Sequence, residues 1–153
     1  MYWMTLPLKR YFEFSGRSRR LEYWMFVLFQ MIVMVPIAAI FLAGFPWQQI
    51  ANPDPAYEPE FGPLLIVGSI LIVVVSLGLF IPGIAVTVRR LHDRNMSGWW
   101  YGGLFLASFI PLINILTVFG FIAIFVIMFL PGTPGPNRFG PDPKDPSQAR
   151  VFE

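Results

Sequence analysis

The only histidine of this chain, His92, stands beside Asp93, and no other pair combines the residue types that acid–base chemistry needs. A carboxylate next to an imidazole can set its tautomer and hold its pKa up. Neighbours on a helix, however, point about 100° apart. No second histidine and no cysteine completes a metal site, and no Ser/His/Asp geometry can be read from the spacing. His92 and Asp93 are therefore expected to pair with nearby arginines or to cap a helix end. Contact with a headgroup or ligand comes next, and catalysis last. No catalytic, cofactor-binding or metal-ligating residue is assigned, and no cofactor.

The arginines are the second source of chemistry. Arg17, Arg19, Arg20, Arg89, Arg90, Arg94 and Arg138 are candidates to converge on one surface. They could simply orient the chain in a bilayer and snorkel to its face. They could form a pocket for an anionic group such as a lipid phosphate, which guanidinium forks grip bidentately. Or Glu22, Asp93 and Asp142 could close them into an ion-pair network. The candidate anion-binding or ion-pair cluster is accordingly Arg17, Arg20, Glu22, Arg89, Arg90, His92, Asp93, Arg138 and Asp142. Trp24, Trp99 and Trp100 are candidate interfacial aromatics.

The elements that must hold these residues are greasy. Of the 153 residues, 56% are hydrophobic and 13% charged, against about 25% charged in ordinary globular domains. A soluble all-α domain of this composition would lack the charges to coat its surface. The absence of cysteine excludes disulfides, thiolate metal sites and a cysteine nucleophile.

The stretch Arg89-Arg90-Leu91-His92-Asp93-Arg94-Asn95-Met96-Ser97-Gly98-Trp99-Trp100 is a charged hinge between two uncharged runs, residues 64–88 and 95–137. A bilayer core of about 30 Å is crossed by about 20 apolar residues, so the hinge is expected at a membrane face. Residues 1–22 mix five cations with aromatics and read as an interfacial segment, broken near Pro7, or as a tail that only looks amphipathic. A helix is expected to start near Ser18, capped by its hydroxyl with Glu22 in the first turns. Residues 23–45 form the first span, an uncleaved anchor rather than a signal peptide, with Pro36 a tolerated kink. Residues 46–63, with five prolines and only acidic charges, are expected as a loop.

Residues 64–88 form the second span, bent at Pro82-Gly83. Residues 99–110 and 115–130 follow as a short hairpin turning at Pro111-Leu112-Ile113-Asn114. A re-entrant pair that does not fully cross is the competing picture. Residues 131–143, with five prolines and three glycines, stop all helix, and 131–153 form a tail. That tail either docks over the hinge, recruits a partner in extended form or is a flexible stop.

Gly98, Gly102, Gly103 and Ala107, with Ala39 and Ala43, follow a small-xxx-small spacing that permits close helix approach.

The fold class is thus all-α: a single polytopic membrane domain with four transmembrane helices. Five of the eleven Lys/Arg residues precede the first span, three lie in the hinge, three in the tail, and none in the proline loop. The positive-inside rule places both termini and the hinge in the cytoplasm.

Three stretches resemble one known family together and in order: Phe14-Ser15-Gly16-Arg17-Ser18-Arg19-Arg20-Leu21-Glu22-Tyr23-Trp24, the hinge, and the proline–glycine tail. They are similar to the bacterial inner-membrane family catalogued as domain of unknown function family 805. The resemblance implies a small polytopic helical protein of the bacterial inner (plasma) membrane. It brings no activity with it.

The expected function is non-enzymatic: a scaffold or accessory protein whose arginine-rich face binds anionic headgroups of membrane lipids or a protein partner. Homo-oligomerisation or membership of a larger membrane complex is compatible with this. The alternative is a small oligomeric transporter or channel gated at the hinge. It ranks lower because no ionisable residue falls inside an expected span, where proton and ion pathways would need one. A nucleic-acid partner is not expected, since topology already accounts for the basic residues.

Overall fold

The computed structural model describes residues 2–52 and 61–145. Every regular element among them is helical: α1 (Tyr2–Lys9), α2 (Arg20–Ala43), α3 (Trp47–Ala51), α4 (Pro63–Asp93), α5 (Trp99–Ala107) and α6 (Ile113–Phe129). The only strand-like feature among the described residues is a single bridge between Asn137 and Gly140. The all-α expectation holds. Helices α2, of 24 residues, and α4, of 31, are long and apolar enough to cross a membrane, and α6, of 17, is a shorter apolar helix.

The chain divides into two compact units, residues 28–80 and the remainder. In the 28–80 unit, α2 and α4 pack where side chains are small. A Cβ at Gly68 would strike the Phe41 backbone, and one at Gly44 the Leu64–Leu65 backbone. Met31, Val35, Ile70, Val74 and Leu77 lie exposed. Helices apolar all round need an apolar surrounding, and little of either apolar stretch is covered by the chain itself.

In the other unit the core is Leu91, Ile124 and Met128, surrounded by Tyr23, Trp24, Met96, Tyr101, Leu104 and Ile127. Helices α5 and α6 approach closely at Gly120, where a Cβ would meet the Leu104 side chain. Gly98 faces Val88, whereas Gly103 faces open space. Of the glycines expected at close approaches in this unit, Gly98 makes one.

The elements differ from the sequence expectation in instructive ways. Helix α1 runs through Pro7 instead of breaking there; a proline costs one backbone bond, and Pro7 is buried. Helix α2 starts at Arg20, and Ser18 does not cap it. The Ser18 N–H donates instead to the Arg89 carbonyl at 3.1 Å, and its hydroxyl has no partner among the described residues. The proline loop contains α3, in a stretch that prolines flank without occupying.

Helix α4 passes Pro82 and carries the first half of the hinge as its last turns. It stops at a glycine-free Schellman motif. Asn95 takes φ 59°, its N–H bonds the His92 carbonyl at 2.9 Å, and Met96 N–H bonds the Leu91 carbonyl at 3.0 Å. Asparagine tolerates this left-handed position, and the Met96 side chain supplies the accompanying apolar contact beside Leu91. Helix α5 has only 9 residues, about 14 Å of rise.

Candidate functional site

The last turns of α4 set the site. Arg90 and Asp93, three apart, share a helix face, and Arg89 points away from them toward α2. All three are buried. A buried charge must be paired and hydrogen-bonded to be tolerated, and the rest of the unit supplies those partners.

Arg89 reaches the first turn of α2, its Nη2 3.1 Å from Glu22 Oε1. Its Nη1 donates to the Glu13 carbonyl and to that of Arg10 at 3.4 Å. Arg10 lies 3.8 Å from the same Glu22 carboxylate and makes a two-bond fork with Glu13 at 2.8 and 2.7 Å. That fork raises the Arg10 pKa and lowers that of Glu13. The segment between α1 and α2 is thereby fastened to α4.

Arg17 and Arg90 share Asp93. Arg17 Nε and Nη2 lie 3.0 and 2.9 Å from Asp93 Oδ1, and Arg90 Nη1 binds Oδ2. The remaining donors fasten the chain after α6. Arg90 Nη2 takes the Leu130 carbonyl, and Arg17 takes the Thr133 and Gly135 carbonyls at 2.6 Å each. Carbonyls this close to guanidinium groups compensate the one positive charge by which three arginines exceed two carboxylates. The Nε atoms of Arg89 and Arg90 are buried without a partner among the described residues.

The tail closes over this pair. The Asp93 carbonyl accepts from the Thr133 N–H at 2.8 Å and its hydroxyl at 3.1 Å. Asn137 Nδ2 donates to the His92 carbonyl at 2.9 Å and to Thr133 Oγ1 at 3.0 Å. His92 and Phe139 stack 3.9 Å apart with their rings 4° from parallel. His92 Nδ1 faces the Gly16 carbonyl at 3.1 Å, which can only accept, so that nitrogen carries the proton. The imidazole and the Asp93 carboxylate thus spend their hydrogen bonds on different partners.

Asp142 folds the tail on itself, accepting from the Lys144 N–H at 2.9 Å and the Gly135 N–H at 3.1 Å. These bonds, that of Lys144 foremost, hold its pKa below the usual carboxylate value.

Of the residues singled out from the sequence, Arg17, Glu22, Arg89, Arg90 and Asp93 form the buried clasp. Arg138 stays outside, exposed, with Nη2 3.1 Å from the Asn95 carbonyl. Asp142 braces the tail. Arg20 borders a separate open groove of about 740 Å3, lined by Arg19, Arg20, Leu21, Trp24, Phe129 and Lys144. Trp24 is half-buried, 4.3 Å from the Phe129 ring, while Trp99 and Trp100 are exposed. Spacing does not single out Thr133, Asn137, Arg10 or Lys144. Thr133 and Asn137 were nevertheless marked by standing as hydrogen-bonding residues in a run otherwise of proline and glycine. Among the described residues no group of three His, Asp or Glu side chains is placed to hold a metal ion.

The family described as Protein of unknown function (DUF805) matches residues 11–141, which include the whole clasp. The chain belongs to this family. It is 37% identical to inner membrane protein YhaH of Escherichia coli K12 over 144 residues, 94% of this chain and 98% of that protein. To inner membrane protein YhaI of the same organism it is 36% identical over 144 residues, 94% of this chain and 97% of that one. No solved structure matches. The protein therefore belongs to an inner-membrane family of unassigned activity, and the clasp and the groove lie within the length it shares with both relatives.

Proposed function

We propose that the protein is a small inner-membrane scaffold or accessory protein, non-enzymatic, whose arginine-rich cytoplasmic face binds anionic lipid or a protein partner. The division of the cations supports this reading. Arg17, Arg89 and Arg90 are used up in the buried clasp. Arg19, Arg20, Arg138 and Lys144 make no close ion pair among the described residues and stay at the surface of the same unit.

In this reading four helical segments enter the apolar layer and both termini are cytoplasmic, with the acidic proline loop on the far side. The nine residues of α5 fall short of a core of about 30 Å. The α5–α6 pair is then a hairpin that enters and leaves at the cytoplasmic face. Exposed Trp99 and Trp100, the first residues of α5, suit the headgroup level.

Purification in mild detergent, with bound lipids and proteins identified by mass spectrometry, tests the function. Retention of anionic phospholipid or a stoichiometric partner, released by salt, is expected. Neither being retained, or solute flux through reconstituted vesicles, would contradict it.

A further inference from the structure

We propose that the groove bordered by Arg19, Arg20 and Lys144 is a seat for one anionic glycerophospholipid, its phosphate held by the cations and an acyl chain along Leu21, Trp24 and Phe129. The inference rests on the lipid-binding arm of the proposed function and gives it a location.

The groove is amphipathic in the way a phospholipid is. None of its cations lies within ion-pair distance of a carboxylate among the described residues, unlike the arginines of the clasp, and Lys144 acts on one from further off, that of Asp142. Two of them are held in place from behind. Arg19 Nε is anchored on the Pro143 carbonyl and its guanidinium lies 5.6 Å from the Trp3 ring centre. Arg20 Nη1 is fixed to the Phe129 carbonyl at 3.1 Å. Each guanidinium keeps further N–H groups for an oxygen acceptor, and Lys144 adds a point charge.

The apolar wall continues from these charges. Leu21 and Phe129 are about half exposed, at 49% and 52%. Trp24 packs on Phe129 and Phe125, so its ring is a fixed wall. A soluble anion would leave that wall wet, and a neutral acyl chain would leave the charges unanswered. A phospholipid with net negative charge answers both.

Trp24 reports on its own occupant. In vesicles containing either brominated phosphatidylglycerol or brominated phosphatidylcholine, quenching assigned to Trp24 is the difference between the full-length protein and Trp24→Phe, which keeps the aromatic packing. Quenching by the anionic lipid should exceed that by the neutral one. Lys144→Gln, outside every helix, should lower the preference by up to about fivefold, since each cation near a charged lipid surface contributes about that factor. Arg19→Gln with Arg20→Gln and Lys144→Gln should abolish it.

Equal quenching of Trp24 by both lipids, or a preference unmoved by Lys144→Gln and by the triple change, would overturn the site. Measuring total retained anionic lipid in the same samples separates the two claims. Retention without a preference at Trp24 removes this groove and leaves the proposed function standing, whereas loss of both removes the lipid reading altogether.

Discussion

Arg17 and Asp93, 76 positions apart, share a buried ion pair in which Arg17 Nε stands 3.0 Å from Asp93 Oδ1. The pair joins three pieces of chain. Arg17 precedes α2, Asp93 ends α4, and the spare guanidinium donors hold Thr133 and Gly135 in the tail. Against well-packed apolar residues such a pair contributes little net stability, but removing one partner strands the other charge in low dielectric.

Asp93→Ala leaves Arg17 and Arg90 buried without their carboxylate. A loss of about 3–5 kcal/mol is expected, read as a lowered midpoint of denaturant unfolding in detergent. Arg90→Ala should lose a comparable amount, and Arg138→Ala, exposed, less than about 0.5 kcal/mol. A wild-type midpoint and abundance for Asp93→Ala would show that the pair is dispensable.

Gly132→Ala tests the fit of the tail. A Cβ there would fall on the Asp93 carboxylate, a short side chain held by two arginines and unable to swing away. The tail should lift, and the melting temperature fall toward that of Asp93→Ala. Gly103→Ala, with open space at its Cβ and in mid-helix, should be neutral or stabilising by up to about 1 kcal/mol. Equal behaviour of the two alanines would refute the close contact.

Acid should loosen the tail through Asp142. Its folded-state pKa lies below the ordinary value because of the Lys144 and Gly135 N–H bonds. The stability it contributes is therefore complete above the ordinary carboxylate pKa and is lost as pH falls through the lower, folded one. Amide exchange at Gly135, corrected for the intrinsic rate, should rise in that acid window. It should lose this pH dependence in Asp142→Asn; an identical profile in the mutant would exclude the residue.

Orientation is testable on a chain with no cysteine to remove. In intact cells, a single cysteine at Glu58 should react with a membrane-impermeant maleimide added outside, and one at Lys144 only after lysis. The reverse pattern would invert the topology.

Much of the scaffold was legible beforehand. Uncharged runs longer than a bilayer requires announced α2 and α4, and Pro111 with its neighbours announced the turn before α6. Arginines outnumbering nearby carboxylates announced either a network or an anion site. The division between the two was not legible. Arg17 and Arg19 are two positions apart, yet one is buried on Asp93 and the other borders an open groove, because local direction depends on where the tail lies. Ser18 looked like a cap since local sequence favours one, but the Arg89 carbonyl claimed its N–H. Lys144 reads from the sequence only as one of three tail cations, because its place in the groove comes from being folded back beside Arg19.

The clasp holds the tail down, and hydrogen–deuterium exchange across residues 132–140 measures this most directly. Thr133, Gly135, Asn137 and Gly140 all donate their N–H within the fold. In the intact protein these amides should exchange slowly, and in Asp93→Ala they should approach unfolded rates. Rapid exchange throughout the segment in the intact protein would contradict the clasp.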